Sequence, residues 1–279
     1  MTPVMDDPDE IAAALRGTAL DGHPVEEGIG NTFLITGVVP EQLLDAWRAA
    51  RSALPETGRW PILTGPGELC HEPTAEEVAA LAHAARTLDP WSVYRRWHDD
   101  EPISEEALDR HLTSSLNVDL GPLARRELTL PTTRTAIERW IWELLLTDPA
   151  LAERGHRIAA SFVGTRTWYT PREVQLVLLP TSTQWLAPAW ISYFGATRPQ
   201  GTEGLAAAIR QWERQWGAEL VACWSTMLQF VVTRQPEPGE QAWQLAKQLL
   251  AVGGNLQMAP WQLALAVTRS DAWFLHDRP

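Results

Sequence analysis

The stretch from Gln211 to Arg234, QWERQWGAELVACWSTMLQFVVTR, decides the fold because it contains the end of a helix and two strands that follow it. An apolar stripe runs into this stretch with spacings of four, three and four residues. The stripe is formed by Leu205, Ile209, Trp212 and Trp216. Such a stripe on an amphipathic helix normally packs onto a sheet. We therefore expect Trp212 and Trp216 to belong to the core.

The second half of the stretch predicts a β-hairpin. Gly217 stands where a left-handed residue commonly ends a helix. The segments AELVACW and MLQFVVTR are rich in strand-forming residues, and Ser225 and Thr226 join them. Such a short connection is typical of antiparallel strands. Trp224, next to the turn, receives no firm assignment from the sequence.

Further elements surround the hairpin in the C-terminal half. VQLVLLP, which begins at Val174, and AWFLHD, which begins at Ala272, are strand candidates. QAWQLAKQLLAV predicts a helix that ends at Gly253, and an extra helical stretch covers Trp261 to Val267. The chain order from Val174 is thus strand, helix, strand, strand, helix, strand. This order matches the split βαβ arrangement in outline.

The N-terminal half begins with a small strand, helix, strand unit. NTFLITGVV (Asn31 to Val39) is a strand candidate, EQLLDAWRAARSAL has apolar residues at helical spacing, and GRWPILTGPG returns to a strand. We expect helices after Thr74 and Ser104. The first of them starts with a capping-box spacing between Thr74 and Glu77.

One more helix is predicted at the start of the C-terminal half. Thr135 and Glu138 have the spacing of a second capping box. ERWIWELLL follows and is apolar on almost all sides, so Trp140 and Trp142 are expected in the core.

The predicted fold class is α+β. A C-terminal split βαβ-like antiparallel sheet with covering helices follows a largely helical N-terminal half that includes the small strand, helix, strand unit. We expect an N-terminal α/β and helical region over residues 1–130 and a C-terminal α+β domain over residues 131–279. Packing of both as one unit is the alternative, since 279 residues also suit a single large domain.

The charge balance disfavours two classes of partner. The chain has 35 acidic and 23 basic residues, a net charge of −12, which repels nucleic-acid phosphates and anionic lipid. We expect no nucleic-acid or membrane partner. The excess of acid suits a basic protein partner, with solubility as the alternative explanation.

Compartment and cofactor predictions follow from what the sequence contains. There are two cysteines, far apart, and the acidic N-terminus and short apolar runs differ from a secretory signal or a membrane span, so we expect a cytoplasmic protein. HDDEPISEEALDRH (98–111) holds many possible metal ligands, but in no metal-site spacing, and is interpreted as a solvated acidic face. Cys70, His71 and Glu72 are interpreted as a loop.

Other catalytic motifs are missing from the sequence. It has no nucleotide-binding fingerprint after a strand, no Walker sequence and no nucleophile elbow. We predict no catalytic residues, no metal and no cofactor. The sequence favours a protein that is not an enzyme, without deciding the question, because an active site can be assembled from scattered residues.

Aromatic and arginine residues outside the helical stripes are the candidate binding residues. They occur in RTWYTPR and STQWLAPAWISYFGATR, with one more in the early strand. The candidates are Trp60, Arg166, Trp168, Tyr169, Trp185, Trp190, Tyr193 and Arg198. Trp, Tyr and Arg anchor many interfaces, although Trp and Tyr are also common in cores. Core packing is therefore the alternative role for this set.

The run ERQWGAELVACWSTMLQFVVTRQPEPGEQAWQLA, with AWFLHD at the end and GRWPILTG early on, resembles the bacterial family called domain of unknown function 4253. The resemblance is clearest over residues 174 to 279. It implies a helix with a tryptophan, a hairpin, a further helix and an aromatic segment before a closing Asp. It implies no activity.

Two functional hypotheses from different classes follow. The first is a non-enzymatic protein-binding module, such as an immunity-type or regulatory partner of a basic protein. The alternative is a small-molecule-binding protein or enzyme with a pocket between the two halves, lined by Trp60, Trp185 or Tyr193. A structural assembly subunit is a third possibility.

Overall fold

A computed structural model describes residues 4–69, 72–94, 102–129, 131–160, 165 and 168–278. The strands are β1 (Val25–Glu27), β2 (Phe33–Ile35), β3 (Trp60–Thr64), β4 (Gln175–Leu179), β5 (Glu219–Cys223), β6 (Met227–Val231) and β7 (Ala272–His276). The helices of the first half are α1 (Pro8–Ala14), α2 (Leu43–Ser52), α3 (Leu54–Thr57), α4 (Ala75–Thr87), α5 (Pro90–Val93), α6 (Glu105–Ser114) and α7 (Gly121–Glu127). Those of the second half are α8 (Arg134–Thr147), α9 (Pro149–Ala159), α10 (Gly201–Trp216), α11 (Glu240–Val252) and α12 (Pro260–Val267).

The seven described strands form one sheet in the order β1-β2-β4-β3-β5-β6-β7. All neighbouring pairs are antiparallel except β3 and β5, which are parallel. The α+β class, with a helical N-terminal half, is confirmed. The predicted hairpin is also confirmed, since β5 pairs with β6 across Ser225, whose φ of 54° is left-handed.

The strand order departs from the predicted split βαβ arrangement of the C-terminal half. Strand β3, from the N-terminal half, lies between β4 and β5, so the sheet is mixed rather than wholly antiparallel. The split βαβ unit that does form is β2-α2-β3, whose parallel strands flank β4. All five residues of β3 are buried, as is typical of a strand covered on both faces. A strand with apolar residues on both faces buries the most apolar surface at the centre of a sheet, where both faces are covered.

Two of the three predicted helix starts are confirmed and one is wrong. Thr74 and Glu77 form the expected capping box, and Ser104 caps α6. Helix α8, however, is capped by Thr133, whose side chain accepts a hydrogen bond from the Ala136 amide at 3.2 Å. A backbone hydrogen bond from Ile103 to Thr132 holds the chain extended up to this point, and the helix therefore begins two residues before the expected start.

Glu138 consequently has a different role from the predicted cap. Its carboxylate is buried, and its Oε1 lies 3.0 Å from Nε2 of His111. The two atoms are in close contact, although they are not aligned for a hydrogen bond. This contact joins α6 to α8.

The tryptophan stripe of α10 occupies the centre of the core. Trp212 is fully buried, and its ring centroid lies 5.8 to 6.0 Å from those of Trp91, Phe230 and Trp273. Trp216, one helical turn later, is half-buried against the same core. Trp140 and Trp142 are buried as predicted. The predicted left-handed cap at Gly217 is confirmed by its φ of 58°.

Arg59 fastens the N-terminal segment to the sheet. Its side chain is fully buried, donates to Met5 O at 2.5 Å and Asn31 O at 2.6 Å, and lies 2.9 Å from the Asp6 carboxylate. The guanidinium also lies 4.4 Å from the Phe33 ring centroid. Burial lowers the pKa of Arg59, whereas its pairing with Asp6 raises it. Helix α1 is thereby anchored by a buried charge.

Strands from both predicted domains share the sheet, because β4 lies between β2 and β3. The division at residues 130 and 131 stays a prediction. In the part of the chain that the structure describes, no helix combines the length and the apolar character needed to cross a bilayer.

Candidate functional site

A cleft of about 670 Å³ lies between α4 and the segment that leads into α10. We call it the α4 cleft. Glu77, Ala80 and Leu81 form one wall, and residues between 188 and 205 form the other. Its lining mixes apolar side chains with hydroxyls and charges. Two predicted binding residues, Tyr193 and Arg198, line it.

The backbone of the second wall is held by close contacts. A Cβ on Gly195 would lie 2.5 Å from the Tyr193 ring, and one on Gly201 would lie 2.3 Å from Ala196 O. Gln200 adopts a left-handed φ of 57°, which is uncommon for residues other than glycine. These contacts fix the short turn that carries Arg198 into the first residues of α10.

Arg198 is oriented by three neighbours. Its Nε donates to Gly195 O at 3.2 Å, and its Nη2 lies 3.4 Å from Oδ2 of Asp277. The guanidinium carbon lies 5.0 Å from the centroid of the Tyr94 ring. Asp277 follows β7 and is the Asp of the AWFLHD segment. The arginine side chain remains 36% exposed, and it can therefore contact a solute in the cleft.

Two buried tyrosines support the floor of the cleft. Tyr94 donates to Gly201 O and Tyr193 donates to Val252 O, both at 3.0 Å. Burial raises the pKa of both hydroxyls, and the charge of Asp277 raises it further. Both groups are therefore neutral hydrogen-bond donors to backbone carbonyls. This arrangement suits a structural role better than proton transfer.

Of three predicted binding tryptophans, two are buried and one is half-buried. Trp60 is 1% exposed and donates from Nε1 to Leu220 O at 3.0 Å. Trp190 is 5% exposed, and its indole N–H finds no acceptor among the described residues. Trp185 is half-buried, with the Arg86 guanidinium 5.2 Å from its ring centroid. Trp60 and Trp185 are not among the residues that line the α4 cleft.

The remaining candidates lie in RTWYTPR. Arg166 lies outside the described residues. Trp168 is half-buried against the core, whereas Tyr169 is 45% exposed. The Tyr169 ring meets Trp224 edge to face, with the centroids 6.5 Å apart. Trp224 itself is buried and donates to Gln229 Oε1, which settles its role as a core residue.

No set of three metal-ligating side chains converges among the described residues. His111, one of the possible ligands named above, contacts Glu138. His98, Asp99, Asp100 and Glu101 of the acidic run lie outside the described residues. Cys70 and His71 lie outside them as well.

The sequence did not identify the α4 wall of the cleft or the role of Asp277. Ala80 in the α4 wall and Arg198 in the opposite wall are more than a hundred residues apart in the chain, so no local sequence spacing connects them. The turn residues of FGATRPQG before α10 were the available signal. They mark a tight turn that presents Arg198.

The fold and the cleft together define an α+β protein with a pocket at the start of helix α10. A family model described as Domain of unknown function (DUF4253) matches residues 175–277. The resemblance noted in the sequence is confirmed over this segment, which spans β4 to Asp277. No curated protein and no solved structure matches the chain.

Proposed function

We propose that this protein binds a small polar molecule in the α4 cleft. The proposal rests on the cleft itself, whose volume of about 670 Å³ lies within the roughly 300–1,000 Å³ typical of small-molecule sites. Arg198 supplies a fixed charge, and Ser192, Thr197 and Thr202 supply hydroxyl groups. The α4 wall comes from outside the segment that matches the family, and the opposite wall comes from within it. The proposal follows the alternative hypothesis derived from the sequence, a pocket between the two halves; of the lining residues expected there, Tyr193 lines the α4 cleft, and Trp60 and Trp185 do not.

We favour binding without catalysis. Both tyrosine hydroxyls near the cleft donate to backbone carbonyls, and Glu77 is used in the capping box of α4. A catalytic acid or base needs a hydrogen bond to the reacting atom. The polar groups of the cleft are better suited to recognition.

A cleft-filling substitution tests the proposal. Ala80→Trp should abolish ligand-induced thermal stabilisation, because Ala80 is exposed and lines the cleft. Ala79→Trp is the matched control, since Ala79 is exposed on the same helix and lines a different groove. A metabolite panel would be screened by thermal shift on the wild type and both variants. If Ala80→Trp leaves every stabilising ligand as effective as before, binding lies elsewhere.

A second candidate function is protein binding, as the charge and the aromatic content suggest. The specific observation is Tyr169, an exposed aromatic ring set edge-on against buried Trp224. A rigid aromatic anchor of this kind is common in interfaces. The net charge of −12 favours a basic partner, and the low cysteine content suits the cytoplasmic location that we also propose.

Comparing capture by the wild type and by Tyr169→Ser tests this second function. A basic partner that binds through this ring should be retained by the wild type and lost both by the variant and at high salt. Leu146→Ser is the matched control, since Leu146 is another exposed apolar side chain and lies outside this segment. Equal retention by all three proteins would exclude Tyr169 as the anchor.

A further inference from the structure

We propose that the ligand of the α4 cleft is a small zwitterion, such as a free amino acid or a short peptide. Its carboxylate would bind Arg198 and its ammonium group would bind Glu203. This inference rests on the proposed function, because it names the chemical class of the molecule that the cleft takes.

Arg198 has hydrogen-bonding capacity left for a carboxylate. A guanidinium carries five N–H donors. Two of them are used, one by Gly195 O and one by Asp277, so three have no acceptor among the described residues. A planar fork with free donors is the geometry that binds a carboxylate in bidentate fashion.

The orientation of the guanidinium is set before a ligand arrives. Tyr94 lies under its face, Gly195 O holds Nε, and Asp277 holds Nη2 at a long 3.4 Å. Such positioning reduces the entropy lost on binding. The Asp277 contact is long enough to weaken without great cost when a ligand carboxylate approaches. We therefore assign Asp277 the role of a positioning residue.

Glu203 supplies the opposite charge in the same cleft. It is half-buried in the first turn of α10, and no hydrogen bond or ion pair joins its carboxylate to another described residue. Glu77 also lines the cleft, but its carboxylate accepts hydrogen bonds from Thr74 in the capping box of α4. One guanidinium and the Glu203 carboxylate therefore face the ligand. A molecule with a single carboxylate and an ammonium group complements this set.

The same charges disfavour ligands with several phosphates. The whole chain carries a net charge of −12, and the cleft contains two carboxylates beside one arginine. A polyphosphate would meet repulsion both during approach and in the cleft. The carboxylate of an amino acid carries one negative charge, which its own ammonium group balances.

Calorimetric titration of the full chain tests the inference. The probes are the common amino acids and alanine-containing dipeptides, each compared with its C-terminal amide and its N-acetyl derivative. We expect each modification to weaken binding about tenfold or more, since each removes one charge-assisted contact. Asp277→Asn should weaken binding less than Arg198→Gln, because it keeps an acceptor for Nη2.

Variants assign the two ends of the ligand. Arg198→Gln should make the free carboxylate and its amide bind equally, and Glu203→Gln should do the same for the free amine and its N-acetyl form. Arg172→Gln and Glu237→Gln, exposed outside the cleft, are the controls. Should Arg198→Gln not fold, Arg198→Lys keeps the charge without the fork and should weaken binding of the carboxylate.

The outcomes separate the two proposals. If neutral compounds bind to the wild type but not to Ala80→Trp, and amidation of the carboxylate leaves the affinity unchanged, the zwitterion inference is wrong while the proposed function stands. If no compound of any class binds, both are wrong. Binding of zwitterions that Arg198→Gln and Glu203→Gln leave unchanged would also overturn the inference.

Discussion

At the scale of single residues, the buried guanidinium of Arg59 provides hydrogen-bond donors that a hydrophobic side chain lacks. Arg59 satisfies two backbone carbonyls and the side chains of Asn31 and Asp6 while its own charge is stacked on Phe33. An apolar residue of equal size would fill the space and leave these acceptors without donors. The N-terminal segment therefore depends on one guanidinium.

Replacement of Arg59 tests this dependence. Arg59→Met should lower the free energy of unfolding by about 3 kcal/mol, because buried carbonyl acceptors lose their donors. Asp6→Asn should cost less than about 1 kcal/mol, since asparagine keeps an oxygen acceptor for the guanidinium and the Asp6 side chain is 69% exposed and screened by solvent. Urea denaturation of the wild type and both variants measures the difference. Equal losses in the two variants would contradict the assignment of the main effect to the carbonyl acceptors.

At the scale of elements, caps and stripes decide where helices begin and which face they bury. Thr74, Ser104 and Gly217 act as the sequence indicated, because capping depends on residues within one turn of each other. The start of α8 differs. Thr133 and Thr135 are both suitable caps, and the contact between Ile103 and Thr132 selects the first.

A pair of threonine substitutions distinguishes the two caps. Thr133→Ala should reduce the free energy of unfolding by about 1 kcal/mol, since it removes the acceptor for the Ala136 amide. Thr135→Ala should have a smaller effect, because Thr135 lies inside the first turn of α8, where alanine is a good helix former. Thermal denaturation of both variants gives the comparison. A larger loss for Thr135→Ala would restore the start that the sequence predicted.

At the scale of the whole molecule, the sheet joins both halves of the chain. Strand β4 lies between β2 and β3 in the sheet, and β3 lies between β4 and β5. Removal of the N-terminal half would leave β4 with no neighbour and β5 with one exposed edge. Unpaired backbone groups of buried strands are costly. The matched family segment, 175–277, is therefore expected to depend on strands outside it.

Expression of residues 131–279 alone tests this dependence. We expect the fragment to lack cooperative unfolding and to bind a dye specific for exposed apolar surface, because β3 is absent from the centre of its sheet. The full chain is the control, and a mixture with residues 1–130 tests complementation. A fragment that unfolds cooperatively by itself would show that the predicted domain boundary marks an independent unit.

The sequence by itself determined the α+β class, the stripe of Leu205, Ile209 and Trp212, the hairpin after Gly217 and most of the helix starts. These features depend on periodicity and on contacts within a few residues, which the order of side chains encodes directly. Only the tertiary structure placed β3 between β4 and β5, buried Trp60 and Trp190, brought Ala80 and Arg198 together in the lining of one cleft, and paired Arg198 with Asp277. These features require pairing and close approach between segments far apart in the chain, and such pairing is decided by which packing buries the most apolar surface while satisfying every backbone group.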